Sequence, residues 1–180
     1  GDGGIGKTQI LLNLSAIISR GGYFAGQKES CKQGKVLYLT GEDDPSDTIK
    51  PRLVACGAKT DNVLALGSLM PDGSLFNLSK HLNLITDLVN DDGGYKLFII
   101  DPVTAFCGDQ FDNNSVISVR SLAAKLRAFA VDTGLAVIGL THLTKDEQRS
   151  AVNRIIGSGA WVHASRIVWG AVAVDGKYYF

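Results

Sequence analysis

The chain has 180 residues with 18 basic and 18 acidic side chains, so its formal net charge is zero, and hydrophobic residues make up 45%. This length allows one domain with a substantial core. The balance of charge excludes a disordered polyelectrolyte and a histone-like polycation. The cysteines, Cys31, Cys56 and Cys107, are far apart and form no C-x-x-C pair. This spacing excludes a disulfide framework and a zinc site, and it favours a reducing compartment. The sequence shows no signal segment and no apolar run of membrane-spanning length, so we expect a cytoplasmic protein with no membrane partner.

The chain opens with a glycine-rich stretch that matches the phosphate-loop pattern G-x-x-x-x-G-K-[ST] at every fixed position. The glycines let successive backbone N–H groups curl around a phosphate, and the positive end of the following helix points at the same anion. Lys7 supplies a charge to the β- and γ-phosphates of ATP, and the Thr8 hydroxyl is a ligand for Mg²⁺. An accidental Lys-Thr after a glycine-rich turn is the alternative, and the amphipathic helix that follows disfavours it. The predicted nucleotide-binding residues are Gly1, Asp2, Gly3, Gly4, Ile5, Gly6, Lys7, Thr8 and Gln9.

Apolar runs and segments of helical period alternate along the rest of the chain. In chain order they are a helical stripe at 10–18 closed by Gly21-Gly22, strands at 36–40 and 63–67, a stripe at 78–89, a strand at 97–100, a stripe at 119–129 closed by Gly134, and a strand at 135–141. The strands are nearly continuous in Val, Ile and Leu, as in a parallel sheet that is covered on both faces. The alternation predicts an α/β fold, a mostly parallel twisted sheet with helices on both faces.

Two segments depart from this simple pattern. A helix is expected over 46–56, but Pro51 lies inside it and either kinks the helix or delays its start. At the C-terminal end, 167–174 and 177–180 predict two strands joined by an Asp175-Gly176 turn, an antiparallel hairpin that extends the edge of the sheet. The glycine-rich loop has no strand before it and the chain stops inside this hairpin. We therefore interpret 1–180 as a single domain from a longer protein.

Acidic residues follow two predicted strands, at the edge where parallel sheets bind ligands. Asp101 ends the strand at 97–100 and is predicted to orient the magnesium shell. Pro102 follows it, so the base that polarises the attacking water must come from elsewhere. Glu42, just after the strand at 36–40, is the best candidate. The alternatives are a strand-end cap at Asp101 and, for 42–44, a charge cluster ahead of a helix.

Further motifs occur downstream in a fixed order: Thr141-His142-Leu143-Thr144-Lys145, then Gly157-Ser158-Gly159-Ala160 followed by Ser165-Arg166. Together with the phosphate loop, the Gly-Glu-Asp-Asp strand end and Asp101-Pro102, they span the chain. The chain resembles the RecA-fold P-loop ATPases of the RepA type, the hexameric helicases of plasmid replication and their phage and mobile-element relatives.

The resemblance implies roles for three residues. It implies that Glu42 activates the attacking water, and that His142 senses the γ-phosphate and links hydrolysis to loops that face DNA. It implies that Arg166 is an arginine finger, reaching the γ-phosphate held by a neighbouring subunit. Arg52, Lys145 and Arg154 are weaker candidates for phosphate contact, and for Arg52 a solvated helix charge is an equal alternative.

The resemblance also implies partners, a homo-hexameric ring and single-stranded DNA. The loops expected to face DNA give little support of their own, since 108–115 is acidic, 144–158 is only slightly basic, and neither offers a stacking platform. The prediction of DNA binding therefore depends on the resemblance. The alternative from another class is a RecA-fold regulatory or scaffold ATPase without helicase activity. A filament-forming recombinase would need a polymerisation segment that the sequence does not show, and a small-molecule kinase would need an arginine-rich lid.

Overall fold

The computed structural model describes residues 6–142, 159–174 and 177–179. The strands are β1 (Lys35–Thr40), β2 (Val63–Leu66), β3 (Tyr95–Asp101), β4 (Ala136–Gly139), β5 (Val172–Val174) and β6 (Lys177–Tyr179). The α-helices are α1 (Lys7–Arg20), α2 (Lys50–Ala55), α3 (Leu78–Asp92), α4 (Val116–Thr133) and α5 (Ala160–Ala164). A π-helical turn at Pro45–Ile49 precedes α2, and 3-10 turns lie at Thr60–Asn62 and Val103–Phe106. None of the helices in this part of the chain is long and apolar enough to cross a membrane.

The first four strands form one parallel sheet in the order β2-β1-β3-β4. The α/β fold predicted from the sequence is therefore confirmed. In the register of β1 and β3, Thr40 pairs with Asp101, so the carboxyl ends of these two central strands lie side by side. This alignment brings the residues that follow β1 next to the acid that ends β3.

Alternating side chains of β1 and β3 point to opposite faces of the sheet, and a separate apolar cluster covers each face. One face carries α3 and α4, and its buried residues include Leu37, Leu39, Phe98, Ile100, Ile85, Leu122 and Phe129. The other face carries α1 and α2, and its buried residues include Leu12, Val36, Tyr38, Ile49, Leu53, Leu97 and Ile99. The strands are apolar on both faces because helices cover both faces, which is what their composition predicted.

The helix after the phosphate loop ends where the sequence predicts. Gly21 adopts a left-handed conformation (φ 70°) directly after α1. The Gly21 N–H donates to the Ile18 carbonyl at 3.3 Å, and the Gly22 N–H donates to the Ile17 carbonyl at 2.8 Å. These bonds satisfy carbonyls that the helix end leaves without partners, and glycine adopts the conformation without a Cβ penalty.

Pro51 lies in the first turn of α2, and a π-helical turn at Pro45–Ile49 leads directly into that helix. Of the two outcomes predicted for Pro51, the delayed start is correct, because the α-helix begins at Lys50 and not at 46. Asp44 caps the π-helical turn by accepting hydrogen bonds from the backbone N–H groups of Ser46 and Asp47, both at 2.8 Å.

The C-terminal hairpin exists but differs from the prediction in two ways. Only Val172–Val174 of the predicted strand at 167–174 is extended and paired, with Val174 opposite Lys177. Among the described residues β5 and β6 pair with each other and not with the edge of the main sheet, so the predicted edge extension is wrong. The side chains of Ile167 and Trp169, in the part of the predicted strand that is not paired, are exposed. The predicted turn at Asp175-Gly176 lies outside the described residues.

Candidate functional site

The phosphate loop leads directly into α1 at the carboxyl edge of the sheet. Gly1 to Ile5 lie outside the described residues. Gly6 is the N-cap of α1 with φ 85°, a left-handed conformation that favours glycine. Lys7, Thr8 and Gln9 form the first turn of the helix, and the Gln9 amide contacts the Cys56 Sγ at 3.0 Å. The helix therefore begins at Lys7, inside the phosphate-loop pattern.

The predicted metal-binding pair is in contact. The Thr8 hydroxyl donates a 2.9 Å hydrogen bond to the Asp101 Oδ2, although the two residues are 93 positions apart in the chain. A hydroxyl and a carboxylate offer the hard oxygen atoms that Mg²⁺ binds, usually together with phosphate oxygens of a substrate. The residues present at this position therefore fit a magnesium ion, with Thr8 as ligand and Asp101 beside it.

Tyr38 is a member of this site that the sequence analysis missed. Its hydroxyl donates to the same Asp101 Oδ2 at 2.6 Å, and the ring is fully buried. Burial, and then the charge of Asp101, raise the pKa of Tyr38 far above its ordinary value, so the phenol keeps its proton and acts as a donor. The signal in the sequence was a tyrosine in an otherwise aliphatic strand, two positions before the strand's end.

Asp101 is almost completely buried, with 6% of its surface exposed. Burial is the main cause that raises the pKa of its carboxyl, and the negative charges of Glu42 and Asp43 add to it. The hydrogen bonds from Tyr38 and Thr8 act in the opposite direction, because they stabilise the ionised form. A buried carboxylate beside two other acids is costly without a cation, and this charge distribution favours a bound metal ion.

The two residues predicted to act on the γ-phosphate also meet. The His142 Nε2 lies 3.2 Å from the Glu42 Oε1, and the side chains are 31% and 63% exposed. Glu42 follows β1 and His142 follows β4, and β3 with its terminal Asp101 lies between these strands. Three strand ends therefore contribute to one cluster, and Glu42 is accessible to solvent within it.

Glu42 stands on a turn that its neighbours hold in place. The Gly41 N–H donates to the Asp101 carbonyl at 2.9 Å. The Thr40 hydroxyl donates to the Asp43 carbonyl at 2.9 Å and accepts from the Asp43 N–H at 3.2 Å. The Arg52 guanidinium contacts the Asp43 carboxylate at 3.3 Å, so Arg52 belongs to the rim of this site. The backbone of the turn is thus fixed on both sides of Glu42.

Arg166 follows α5 and is exposed, and no contact joins it to this cluster in the described part of the chain. Lys145, Arg154 and the whole of the loop at 144–158 lie outside the described residues. In the other predicted DNA-facing loop, the Asp112 carboxylate accepts a hydrogen bond from the Asn114 N–H at 2.8 Å, which is a local turn contact.

Comparison with known proteins identifies the family. The family model described as AAA domain matches residues 1–148. The chain is 29% identical over 154 residues to the DNA repair protein RadA of Brucella abortus (strain 2308), and 29% identical over 152 residues to that of Rickettsia bellii (strain RML369-C). It is 27% identical over 148 residues to the RadA protein of Escherichia coli (strain K12). These alignments cover 81–82% of this chain but only 27–29% of the relatives, so the chain spans less than a third of their length. By the match over most of its length, and by its parallel α/β sheet, the chain belongs to the AAA domain family of RecA-like P-loop ATPases.

Proposed function

We propose that this chain binds and hydrolyses Mg-ATP at the carboxyl edge of its sheet. The observation that carries the proposal is the 2.9 Å hydrogen bond between Thr8 and Asp101, which joins the phosphate-loop helix to the acid at the end of β3. Thr8 would hold the magnesium ion with Asp101 orienting its water shell, and Gly1 to Gln9, with the Lys7 ammonium, would hold the phosphates. A bound magnesium ion neutralises charge on the β- and γ-phosphate oxygens.

Glu42 is the proposed general base. Its carboxylate is exposed, so a water molecule can reach it, while its backbone is held by the contacts of Gly41 and Asp43. It accepts a proton from that water as the oxygen attacks the γ-phosphorus and the bond to the β-phosphate breaks. His142, 3.2 Å from Glu42, is the proposed sensor that reports the state of the γ-phosphate to the chain beyond β4.

The finer proposal is a motor domain of the RepA-like helicase type, which couples hydrolysis to movement on single-stranded DNA as a homo-hexamer. The support is the order of motifs along the chain, together with the similarity to the RadA relatives, which are named DNA repair proteins. Arg166 is the proposed finger supplied to the site of a neighbouring subunit, and its exposure on one chain suits that role.

The similarity to proteins named for DNA repair also favours a second candidate, an ATPase that acts in DNA repair or its regulation without unwinding a duplex. Both candidates use the same nucleotide site. They differ in whether hydrolysis drives strand separation, so a combined ATPase and unwinding assay separates them.

The nucleotide site is tested by steady-state ATPase activity. Lys7→Ala should remove nearly all turnover, and Glu42→Gln should lower turnover by about 10²-fold or more while nucleotide still binds. Asp44→Asn is the matched control, because asparagine caps the turn as well as aspartate does and Asp44 has no proposed chemical role. Full activity in Glu42→Gln would contradict its role as the base.

The assembly is tested by mixing inactive variants. Arg166→Ala and Lys7→Ala should each be inactive alone, and Arg166→Ala should still bind nucleotide. A mixture should regain activity, because a Lys7→Ala subunit supplies the arginine to an intact site on its neighbour. Normal turnover in Arg166→Ala would refute the role of Arg166 as the finger.

Strong stimulation of the ATPase by single-stranded DNA together with unwinding supports the helicase, and stimulation without unwinding supports the second candidate.

A further inference from the structure

Tyr38 is the fully buried tyrosine of β1 whose hydroxyl contacts the carboxylate of Asp101. We propose that Tyr38 is a positioning residue for this carboxylate, and that its hydroxyl sets how strongly Mg²⁺ and nucleotide bind together. The inference rests on the proposed function of the site and assigns a role to a residue outside the phosphate loop and the strand-end motifs.

The sheet register explains how Tyr38 reaches Asp101. Tyr38 pairs with Ile99 on the neighbouring strand, and Asp101 lies two residues further along β3 on the same face. Such diagonal neighbours are about 7–8 Å apart, a distance that only a long side chain bridges. The phenol ring spans it and brings its hydroxyl to 2.6 Å from Oδ2. An aliphatic residue at this position would offer no hydroxyl to Asp101.

The surroundings of Tyr38 leave its hydroxyl little freedom. The ring belongs to the apolar cluster under α1 and α2, with Leu12 and Ile99 among its buried members. Neither Tyr38 nor Leu12 nor Ile99 exposes any surface, so the ring cannot swing away without opening a cavity. The hydrogen bond is within the range of short bonds between a hydroxyl and an ionised acceptor.

Tyr38 and Thr8 both contact the Asp101 carboxylate, but they reach it from different parts of the fold. Both donate to Oδ2, so neither of them occupies Oδ1. Thr8 belongs to the first turn of α1, directly after the phosphate loop, whereas Tyr38 belongs to the sheet. Tyr38 therefore ties the carboxylate to the sheet, independently of the contact that Thr8 makes from α1. With both donors on Oδ2, Oδ1 would be available to the water shell of a bound ion.

The chain contains a matched contact at the opposite edge of the same sheet. The Tyr95 hydroxyl donates to the Asp92 Oδ2 at 3.0 Å, and Asp92 also pairs with Lys35 at 2.7 Å. Tyr95 lies at the start of β3 and Asp101 at its end. Tyr95→Phe removes the same chemical bond as Tyr38→Phe but removes it far from the proposed metal position, so it controls for a general loss of stability.

The experiment measures the coupling between metal and nucleotide. A fluorescent, non-hydrolysable ATP analogue is titrated into the protein in excess EDTA and again in saturating Mg²⁺, and the ratio of the two dissociation constants is the coupling factor. Residues that orient a metal ligand typically change metal affinity by 10- to 100-fold. Tyr38→Phe should therefore lower the coupling factor about tenfold and change the affinity in EDTA little, while Tyr95→Phe should leave the factor unchanged. Thermal unfolding of each nucleotide-free protein reports any purely structural effect separately.

The outcomes separate this inference from the proposed function. If the natural sequence binds the analogue with no dependence on Mg²⁺, the proposed function itself is wrong. If its coupling is strong and Tyr38→Phe retains it fully, whether or not the unfolding temperature falls, the positioning role is wrong and the proposed function stands. Equal losses in Tyr38→Phe and Tyr95→Phe would also overturn the role. Should Tyr38→Phe fail to fold, Tyr38→Met removes the same hydroxyl with a flexible side chain that adapts to the core, and the same ratio decides.

Discussion

Gly41 is the position where one added methyl group tests the packing of the site most sharply. Gly41 directly follows β1 and precedes the proposed base. A Cβ atom at this position would lie 2.4 Å from the Ala105 Cβ and 3.2 Å from the Phe106 ring. An ordinary carbon contact is about 3.5–4.0 Å, so the turn or the Val103–Phe106 segment must move by about 1 Å. Ala105 has no flexible side chain to give way, and Phe106 is fully buried.

Gly41→Ala should therefore damage stability and catalysis together. Overpacking of this kind costs about 1–3 kcal/mol. In a domain of this size each kcal/mol lowers the unfolding temperature by roughly 2–4 °C. A displacement of 1 Å at a catalytic group costs about 10²-fold in rate, so ATPase turnover should fall by that order.

The matched control is Gly67→Ala, at the end of the neighbouring strand β2. A Cβ at Gly67 meets only the Pro45 ring, at 3.5 Å and 3.8 Å, which is ordinary contact. Thermal unfolding followed by circular dichroism and steady-state ATPase rates are measured on both variants. If Gly41→Ala matches the natural sequence in both assays, or if Gly67→Ala loses as much, the reasoning about this turn is wrong.

Three further predictions concern the core. Leu12→Ala should lower the free energy of unfolding by about 2–5 kcal/mol in chemical denaturation, because Leu12 is fully buried between α1 and the sheet. The control Leu84→Ala, on the exposed side of α3, should change that free energy by about 0.5 kcal/mol or less. Equal losses in the two variants would contradict the assigned core. Burial raises the pKa of the Cys107 thiol to about 11. At pH 8 a thiol reagent should therefore modify the partly exposed Cys31 and Cys56 before Cys107. Rapid modification of Cys107 in the folded protein would refute its burial. Because this pKa is raised on folding, the contribution of Cys107 to stability is complete below about pH 9 and is lost as the pH rises through its folded value.

The sequence was sufficient for the parallel sheet, because periodicity and composition carry that information. Strands with apolar residues at successive positions require cover on both faces, and the helical stripes between them supply it. The sequence also assigned Thr8 and Asp101 to one magnesium site, from the phosphate-loop pattern and from an acid at the carboxyl end of a strand, and the two side chains are in contact.

Contacts between diagonal neighbours on adjacent strands could not be predicted from the sequence. The bond from Tyr38 to Asp101 requires the register of β1 against β3, and one residue of slippage would place the two side chains on opposite faces. The predicted position of the C-terminal hairpin was wrong for a similar reason. Alternation and a turn signal predict that two strands pair with each other, but they do not predict which sheet edge the strands join. The resemblance implied a role at the γ-phosphate for both His142 and Glu42 but no contact between them, and their side chains lie 3.2 Å apart.

The central claim is that a nucleotide-bound metal ion sits between the first turn of α1 and the end of β3. The most direct measurement is a crystal structure of the protein with a non-hydrolysable ATP analogue and Mn²⁺ in place of Mg²⁺, with the metal located by its anomalous scattering. We predict one strong anomalous peak at the Thr8 hydroxyl, with the Asp101 carboxylate still held by Tyr38 and facing the ion's water shell. A peak elsewhere, or none beside a bound analogue, would contradict the account.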